Sequence, residues 1–152
     1  MTTAVLTASR LLVAISARSL AAVEERVTLP QFRMLVVLAG AGEVKLITLA
    51  ERLAVNPSTA MRMVDRLTAA GLTKRRINPA NRRETLLRLT GAGRQIVDEV
   101  TARRREEIAV IVSRMPADQR GGLITALRAF SEAGQEPLIN APARDAMPLG
   151  WD

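Results

Sequence analysis

Apolar residues recur at helical spacing along most of this chain. The first such stretch, about residues 5–27, contains neither Gly nor Pro and predicts a long helix. A second helix is predicted from Pro30, which suits a first helical turn, to the small residues at 39–42. Thr48, with Glu51 three residues later, has the pattern of a capping box and predicts a short third helix that ends near residue 55.

A fourth helix is predicted over residues 56–70. Asn56 is a good N-cap, Pro57 suits the first helical position, and Gly71 is a typical C-terminal stop. The inner side of this helix carries the apolar residues Ala60, Val64 and Leu67. The polar residues therefore face outward.

After Gly71 the spacing of apolar residues is no longer helical and becomes typical of short β-strands. Residues 72–78 and 84–90 are short segments rich in β-branched or apolar residues, joined by the basic, turn-rich "PANRR", and they predict a β-hairpin over residues 72–89. Thr90 then caps a long helix to about residue 115, and Pro116 separates it from a last helix at about 117–133. The predicted fold class is mainly α with a small β-hairpin: a winged helix-turn-helix plus a helical region.

The positive charge is concentrated in the same segment. Residues 56–90 carry eight Lys or Arg against two Asp or Glu, a net of +6, whereas the whole chain has a net of +7. A clustered basic surface of this kind is typical of proteins that bind nucleic acid. The sequence therefore predicts double-stranded DNA as a partner.

The composition argues against several other classes of function. The chain contains no Cys and no His, so disulfides, thiolate metal sites and the commonest general base are absent. The glycines at 91–93 do not complete a nucleotide-binding loop and do not follow a buried strand. We therefore expect no enzyme activity, no cofactor and no metal site. No run of 18 apolar residues and no secretory leader are present, which favours a cytoplasmic location.

The predicted fourth helix and the hairpin together form a candidate DNA-reading surface. Small hydroxyl residues at the helix start allow close approach to a duplex, and free N–H groups there favour a phosphate. Arginines further along the helix can reach a guanine edge or a phosphate, and an arginine of the hairpin can enter a minor groove. The candidate DNA-binding residues are Ser58, Thr59, Arg62, Arg66, Lys74, Arg75, Arg82 and Arg83.

Two stretches, "LITLAERLAVNPSTAMRMVDRLTAAGLTKR" and "NRRETLLRLTGAG", resemble the multiple antibiotic resistance regulator (MarR) family of bacterial transcription factors. The resemblance extends over about residues 5–133. It implies a homodimer that binds a palindrome, with Ser58, Thr59 and Arg62 at the major groove and Arg83 as the wing arginine. The family usually has Asp two residues before that arginine. Here the position is Asn81, so a change to Asp is expected to restrain the wing better.

The resemblance and the apolar stripes together predict a division of the chain. Residues 1–27 and 91–133 form a helical dimerisation region, residues 28–90 form the DNA-binding domain, and residues 134–152 form an extended or disordered tail. An exposed patch of more than a few hundred Å² is rare on a soluble monomer, so the stripes favour an obligate dimer. The candidate interface residues are Leu12, Val112, Leu123 and Leu127.

A small-molecule effector is a further candidate partner. The family's ligand pocket implies Arg18, Phe32 and Met34 as nearby residues, for which ordinary packing or solvent exposure is the alternative interpretation. For the run 103–105 a solvated helix face is favoured over a second DNA-binding site, because two glutamates follow it at helical spacing.

Two classes of function stay open at this level. The favoured one is a homodimeric, sequence-specific DNA-binding regulator, with repression as the favoured mode of action. The alternative is a winged-helix module that binds another protein without binding an operator. Salt-insensitive binding to a protein, with no binding to a duplex, distinguishes the second class from the first.

Overall fold

The structure is a computed structural model and describes residues 1–134. It contains six helices and three short strands in this part of the chain. In chain order they are α1 (Thr2–Ala21), α2 (Leu29–Ala41), β1 (Val44–Lys45), α3 (Leu46–Arg52), α4 (Pro57–Ala69), β2 (Thr73–Asn78), β3 (Asn81–Leu89), α5 (Gly91–Ser113) and α6 (Ala117–Ala133). The predicted fold class, helices with a small winged hairpin, is confirmed.

The chain divides into two compact units. Among the described residues, one comprises residues 17–101, and the other comprises residues 1–16 together with residues 102–134. The first unit therefore contains all three strands and helices α2 to α4. It also includes residues on both sides of the segment 28–90, to which the sequence assigned DNA binding. The assignment of segments to dimerisation and DNA binding stays a prediction.

The strands form one antiparallel sheet in the order β1-β3-β2. In the wing, Arg75 lies opposite Leu87 and Arg76 opposite Leu86, while β1 pairs Val44 with Leu87. Leu87 is fully buried, so the row through Val44, Leu87 and Arg75 lies on the core side of the sheet. The sequence did not predict β1, because two residues are too few to show a strand period.

The core of the first unit comes from four helices and the inner side of the sheet. Its most deeply buried members include Met34 and Leu35 of α2, Leu49 of α3 and Val64 of α4, each with no exposed surface. Ala60 and Leu67 are also buried, which confirms the inner side predicted for the fourth helix. Leucine, valine and alanine make up most of this core, and Phe32 is the one aromatic residue among its buried members.

Helix boundaries are set by several of the predicted caps. The Asn56 side chain accepts a hydrogen bond from Thr59 N at 2.8 Å, and the Thr90 hydroxyl accepts one from Gly93 N at 3.1 Å. Gly71 has φ +73°, a conformation that side chains other than glycine rarely adopt. These three predicted boundaries are confirmed.

The capping box predicted at Thr48 is wrong. Helix α3 begins at Leu46 with Lys45 as N-cap, and no side chain makes a capping bond there. Pairing of β1 with β3 holds the chain extended up to Lys45, so the helix starts directly after it and Thr48 lies inside. A capping box does occur at Thr28 and Gln31, at the start of α2, where the sequence has the pattern T-x-x-Q.

The first helix is shorter than predicted, since α1 ends at Ala21 and turns occupy residues 22–26. Its side chains are mostly exposed: Leu6 by 58%, Leu12 by 45% and Val13 by 65%. In residues 1–134 it is the one helix long and apolar enough to span a membrane by length and composition, and 11% of that stretch is buried. Soluble core helices and signal sequences meet the same criterion, so this is weak evidence of a membrane location.

The later part of the second unit is also poorly buried. Helix α6 has no buried residue, and the last buried residue of α5 is Val100. Arg104 departs from the solvated face predicted for residues 103–105. It is half-buried, burial lowers its pKa, and its Nε has no hydrogen-bond partner within the described chain. The predicted tail, except residue 134, lies outside the described residues.

Candidate nucleic-acid interface

The N-terminus of α4 is tightly organised by Asn56. Its Oδ1 accepts hydrogen bonds from Thr59 N at 2.8 Å and from the Ser58 hydroxyl at 2.7 Å, while Ala60 N donates to Asn56 O at 3.1 Å. Pro57 has no N–H to offer. The first turn therefore retains only the N–H of Ser58 for a phosphate, fewer than the sequence analysis expected from a helix N-terminus.

The exposed face of α4 carries the arginines that the sequence pattern placed there. Arg62 and Arg66 are both exposed and lie one helical turn apart, on the side opposite the buried residues. The Arg62 guanidinium donates to the Thr59 hydroxyl at 3.3 Å. This contact holds Arg62 along the first turn of the helix, beside the exposed Ser58.

An acidic residue that the sequence analysis missed also lies on this face. Asp65 accepts a hydrogen bond from Arg75 of β2 at 2.7 Å. Arg75, a candidate DNA-binding residue, is thus engaged with the protein itself and joins the wing to α4. The two side chains are each 51% exposed. No local pattern predicts the pair, because ten residues and a tight turn separate the two positions.

The wing tip is built from asparagine side chains and carries two exposed arginines. Asn78 Oδ1 accepts from Ala80 N at 3.0 Å and Asn81 Oδ1 accepts from Arg83 N at 3.1 Å, local bonds typical of turns. Arg82 and Arg83 follow directly and are both exposed. Two adjacent strand residues point to opposite faces, so these arginines diverge from the tip.

Glu84 ties the wing to the first strand. It accepts from Lys45 at 2.8 Å and from the Asn78 amide at 2.7 Å, and Asn81 contributes a further hydrogen bond. These donors, Lys45 first, lower the pKa of Glu84 below its ordinary value of 4.5. Asn81 therefore hydrogen-bonds both Glu84 and the backbone of Arg83. An aspartate at this position could not donate a hydrogen bond to Glu84, because an ionised carboxylate has no donor.

The base of the wing is fixed to the start of α5. The Thr90 hydroxyl donates to Gly71 O at 2.7 Å, and Thr90 N donates to Leu72 O at 3.1 Å. A Cβ on Gly93 would overlap the carbonyl oxygen of Leu72, so the first turn of α5 packs directly on this backbone. Both ends of the hairpin thus meet at one junction, with Gly71 and Leu72 on one side and Thr90 and Gly93 on the other.

The candidate ligand residues are not arranged as a pocket. Phe32 is 4% exposed and Met34 is not exposed, and both belong to the core cluster. Arg18 is an exposed residue of α1. A ligand that reached Met34 would have to displace core side chains.

Comparison with known proteins gives a consistent family relationship. The MarR family model matches residues 27–85. RV1404 from Mycobacterium tuberculosis is 56% identical, with a TM-score of 0.82, and the match covers 89% of this chain and 92% of that one. Wild-type MarR from E. coli is 21% identical with a TM-score of 0.72, covering 86% of this chain and 95% of that one.

A third similar structure is a mutant of MepR from S. aureus bound to an oligodeoxyribonucleotide. It is 16% identical, with a TM-score of 0.65, and the match covers 88% of this chain and 97% of that one. At these identities the E. coli and S. aureus structures show the fold alone. Among proteins with curated descriptions, none matches this chain.

Proposed function

This chain belongs to the MarR family of transcriptional regulators, and we propose that it is a homodimeric repressor of bacterial transcription that binds a near-palindromic operator. Members of the family are transcription regulators and not enzymes. The observation that carries the proposal is the set of exposed arginines on α4 and at the wing tip, within one compact unit. That a MepR mutant of the same fold is bound to an oligodeoxyribonucleotide supports it.

The two arginines of α4 and those of the wing have different proposed partners. Arg62, beside the small Ser58 and Thr59, is proposed to contact a base edge in the major groove. Arg83 is proposed to enter the adjacent minor groove, whose negative potential attracts a guanidinium. The remaining candidates Arg66 and Arg82 are proposed to contact phosphates, while Arg75 positions the wing through Asp65. Lys74 lies opposite Arg88, on the other face of β2 from Arg75, and is not proposed as a contact of the same groove.

A homodimer is proposed because apolar side chains on α1 and α6 are exposed in a single chain. Leu12 is 45% exposed and Phe130 60%, and Val112, Leu123 and Leu127 are partly exposed. Permanent homodimers bury about 2,000 Å² or more. Leu12, Val112, Leu123 and Leu127 are the proposed core of that interface, in a cytoplasmic protein with a small-molecule effector as a further proposed partner.

The DNA-binding proposal is tested by selecting bound fragments from random duplexes and measuring affinity for the best one. We expect a near-palindrome with half-sites about one helical turn, ~10 base pairs, apart. Affinity should fall on the order of a thousandfold between about 50 and 200 mM salt, because each neutralised phosphate releases counterions. A salt-independent affinity, or a best site without dyad symmetry, contradicts the proposal.

Two substitutions separate the proposed roles. Arg62→Ala should cost about 1–3 kcal/mol of binding free energy and relax the preference at one position of each half-site. Arg83→Ala should weaken binding and reduce the preference for narrow A·T-rich flanks. Arg33→Ala, which removes an exposed arginine from α2, is the matched control and should leave both properties unchanged. If both variants lose the same affinity for every DNA sequence, Arg62 and Arg83 contact only phosphates.

The dimer is tested independently by Leu127→Asp, which places an unpaired charge in the proposed interface. We expect sedimentation to show dissociation or unfolding, with loss of operator binding although every proposed DNA contact remains. A folded, monomeric wild-type chain at micromolar concentration contradicts this assembly. Salt-insensitive binding to another protein, with no duplex bound, would favour the protein-interaction module instead.

A further inference from the structure

The two neighbouring arginines of β2 serve opposite faces of the sheet. Arg75 reaches Asp65 of α4, whereas Arg76 reaches Glu43, just before β1, with two hydrogen bonds of 2.9 and 2.7 Å. Since β1 and β2 lie on either side of β3, the Arg76 side chain extends across β3. The face of β2 that carries Arg76 is therefore the one turned away from α4 and its arginines.

A concavity of about 650 Å³ lies beside Arg76. Its charged lining consists of three arginines, Arg76, Arg88 and Arg94, and one carboxylate, Glu43, while Leu38 and Leu89 provide apolar surface. All these residues belong to the unit formed by residues 17–101. Three guanidiniums against one carboxylate leave the lining with a net charge of +2.

One cation of this concavity, Arg88, is not neutralised by an ion pair within the described residues. Arg88 lies directly opposite Lys74 across the strand pair, and like charges in that position are destabilising. Neither of the two takes part in an ion pair within residues 1–134. An arrangement that costs folding free energy indicates that the positive charge has a use outside folding.

Two of the three guanidiniums are also held in place. Arg94 donates to Ala39 O at 3.1 Å, and Arg76 is fixed by its paired bonds to Glu43. The Arg76 hydrogen bond is the main cause of the lowered pKa of Glu43, and the charge of Arg88 adds to it. The positive field of these side chains therefore already stabilises one bound anion, the carboxylate of Glu43.

We propose that this concavity is a binding site for a compact dianion, a phosphoryl group or a dicarboxylate, held by Arg76, Arg88 and Arg94. A dianion neutralises the net charge of +2, and guanidinium groups bind phosphate and carboxylate through paired hydrogen bonds. The apolar surface of Leu38 and Leu89 suits the carbon part of such a ligand. The ligand competes with Glu43 for Arg76.

The test uses the full chain without DNA, so its result does not depend on the proposed function. Isothermal titration calorimetry is carried out with inorganic phosphate as its dianion, with malonate, and with acetate as a monoanion, all at matched ionic strength. We expect saturable binding of one dianion per chain, and the tighter of the two probes identifies the group that the site prefers. Acetate should bind at least about tenfold more weakly, because it forms fewer charge-assisted hydrogen bonds.

Arg88→Gln is the decisive variant, because Arg88 makes no ion pair on which the fold depends. It should weaken binding of the dianion about tenfold or more, the effect of losing one charged hydrogen-bond donor. Arg33→Gln replaces an exposed arginine of the same unit that does not line the concavity, and this variant should bind as the wild type does. Circular dichroism of both variants verifies that they are folded.

Three results would overturn the proposal: no saturable binding of either dianion, equal binding of acetate, or equal binding by the Arg88→Gln variant. A duplex-binding measurement gives a further check. If Arg88→Gln weakens duplex binding as much as Arg62→Ala does, while neither dianion binds, these cations serve the DNA backbone and not a small ligand.

Discussion

Gly93, in the first turn of α5, is predicted to tolerate no side chain without a cost in stability. A Cβ there would overlap the carbonyl oxygen of Leu72 and lie 3.1 Å from both the carbonyl carbon of Leu72 and Cδ2 of Leu89. The carbonyl is also the acceptor for Thr90 N at 3.1 Å. It therefore moves only if the junction between the wing and α5 opens.

The magnitude follows from two opposing contributions. Forcing an extra carbon into a packed site typically costs about 1–3 kcal/mol, and Ala is favoured over Gly within a helix by at most about 1 kcal/mol. Gly93→Ala should therefore lower the free energy of unfolding by about 1–2 kcal/mol. For a chain of this size that corresponds to a fall in Tm of roughly 2–4 °C per kcal/mol.

Gly91→Ala is a matched control in the same helical turn, because a Cβ at Gly91 meets no atom within 4 Å. It should leave stability unchanged or raise it by up to about 1 kcal/mol. Urea unfolding followed by circular dichroism measures both variants, at one fixed protein concentration because dimerisation contributes to stability. If Gly93→Ala is as stable as Gly91→Ala, the packing of α5 on the Leu72 carbonyl does not constrain the fold as argued.

The remaining predictions concern the wing and its charges. The pKa of Glu43 and Glu84 is lowered in the folded chain. The stability that the two carboxylates contribute is therefore present above pH 4.5 and is lost as the pH falls through their folded pKa. Urea unfolding from about pH 6 to pH 3 should show a smaller loss of stability for Glu43→Gln and Glu84→Gln than for the wild type. Asn81→Asp replaces a donor to Glu84 with a like charge, so NMR titration should show a raised pKa for Glu84 and the variant should bind DNA more weakly. An unchanged pKa, or the tighter DNA binding that a better restrained wing would give, would contradict this role of Asn81. Thr90→Val removes two hydrogen bonds at the wing base and should lower the free energy of unfolding by about 1–3 kcal/mol, measured with urea. Thr90→Ser keeps the hydroxyl and should retain most of that stability. Equal destabilisation by both substitutions would show that the hydroxyl does not stabilise the wing base.

The sequence by itself determined those features that depend on a few neighbouring residues. Asn56 and Thr90 cap their helices and Gly71 ends α4, because the bonds and the backbone angle involved are local to each position. The inner side of α4 followed from helical period alone. The concentration of charge in residues 56–90 placed the candidate DNA-binding residues on α4 and the wing, but the sequence could not give their partners.

Tertiary structure decided the features that depend on distant residues. Strand β1 exists because Val44 and Lys45 pair with β3, some 40 positions later, and that pairing moved the start of α3 ahead of the capping signal at Thr48. The partners of Arg75 and Arg76 were likewise set by the sheet, which sends two adjacent side chains to opposite faces and gives one Asp65 and the other Glu43.

The same reason explains why the proposed anion site was invisible in the sequence. Arg76, Arg88 and Arg94 are separated by a turn, a strand and a helix start, and only the antiparallel register of the wing brings them to one concavity with Glu43. Local conformational propensity and the spacing of apolar residues reflect only the interactions that a residue makes with its near neighbours in the sequence. Which charges finally face one another depends on chain reversal and packing, and that information is distributed over the whole unit.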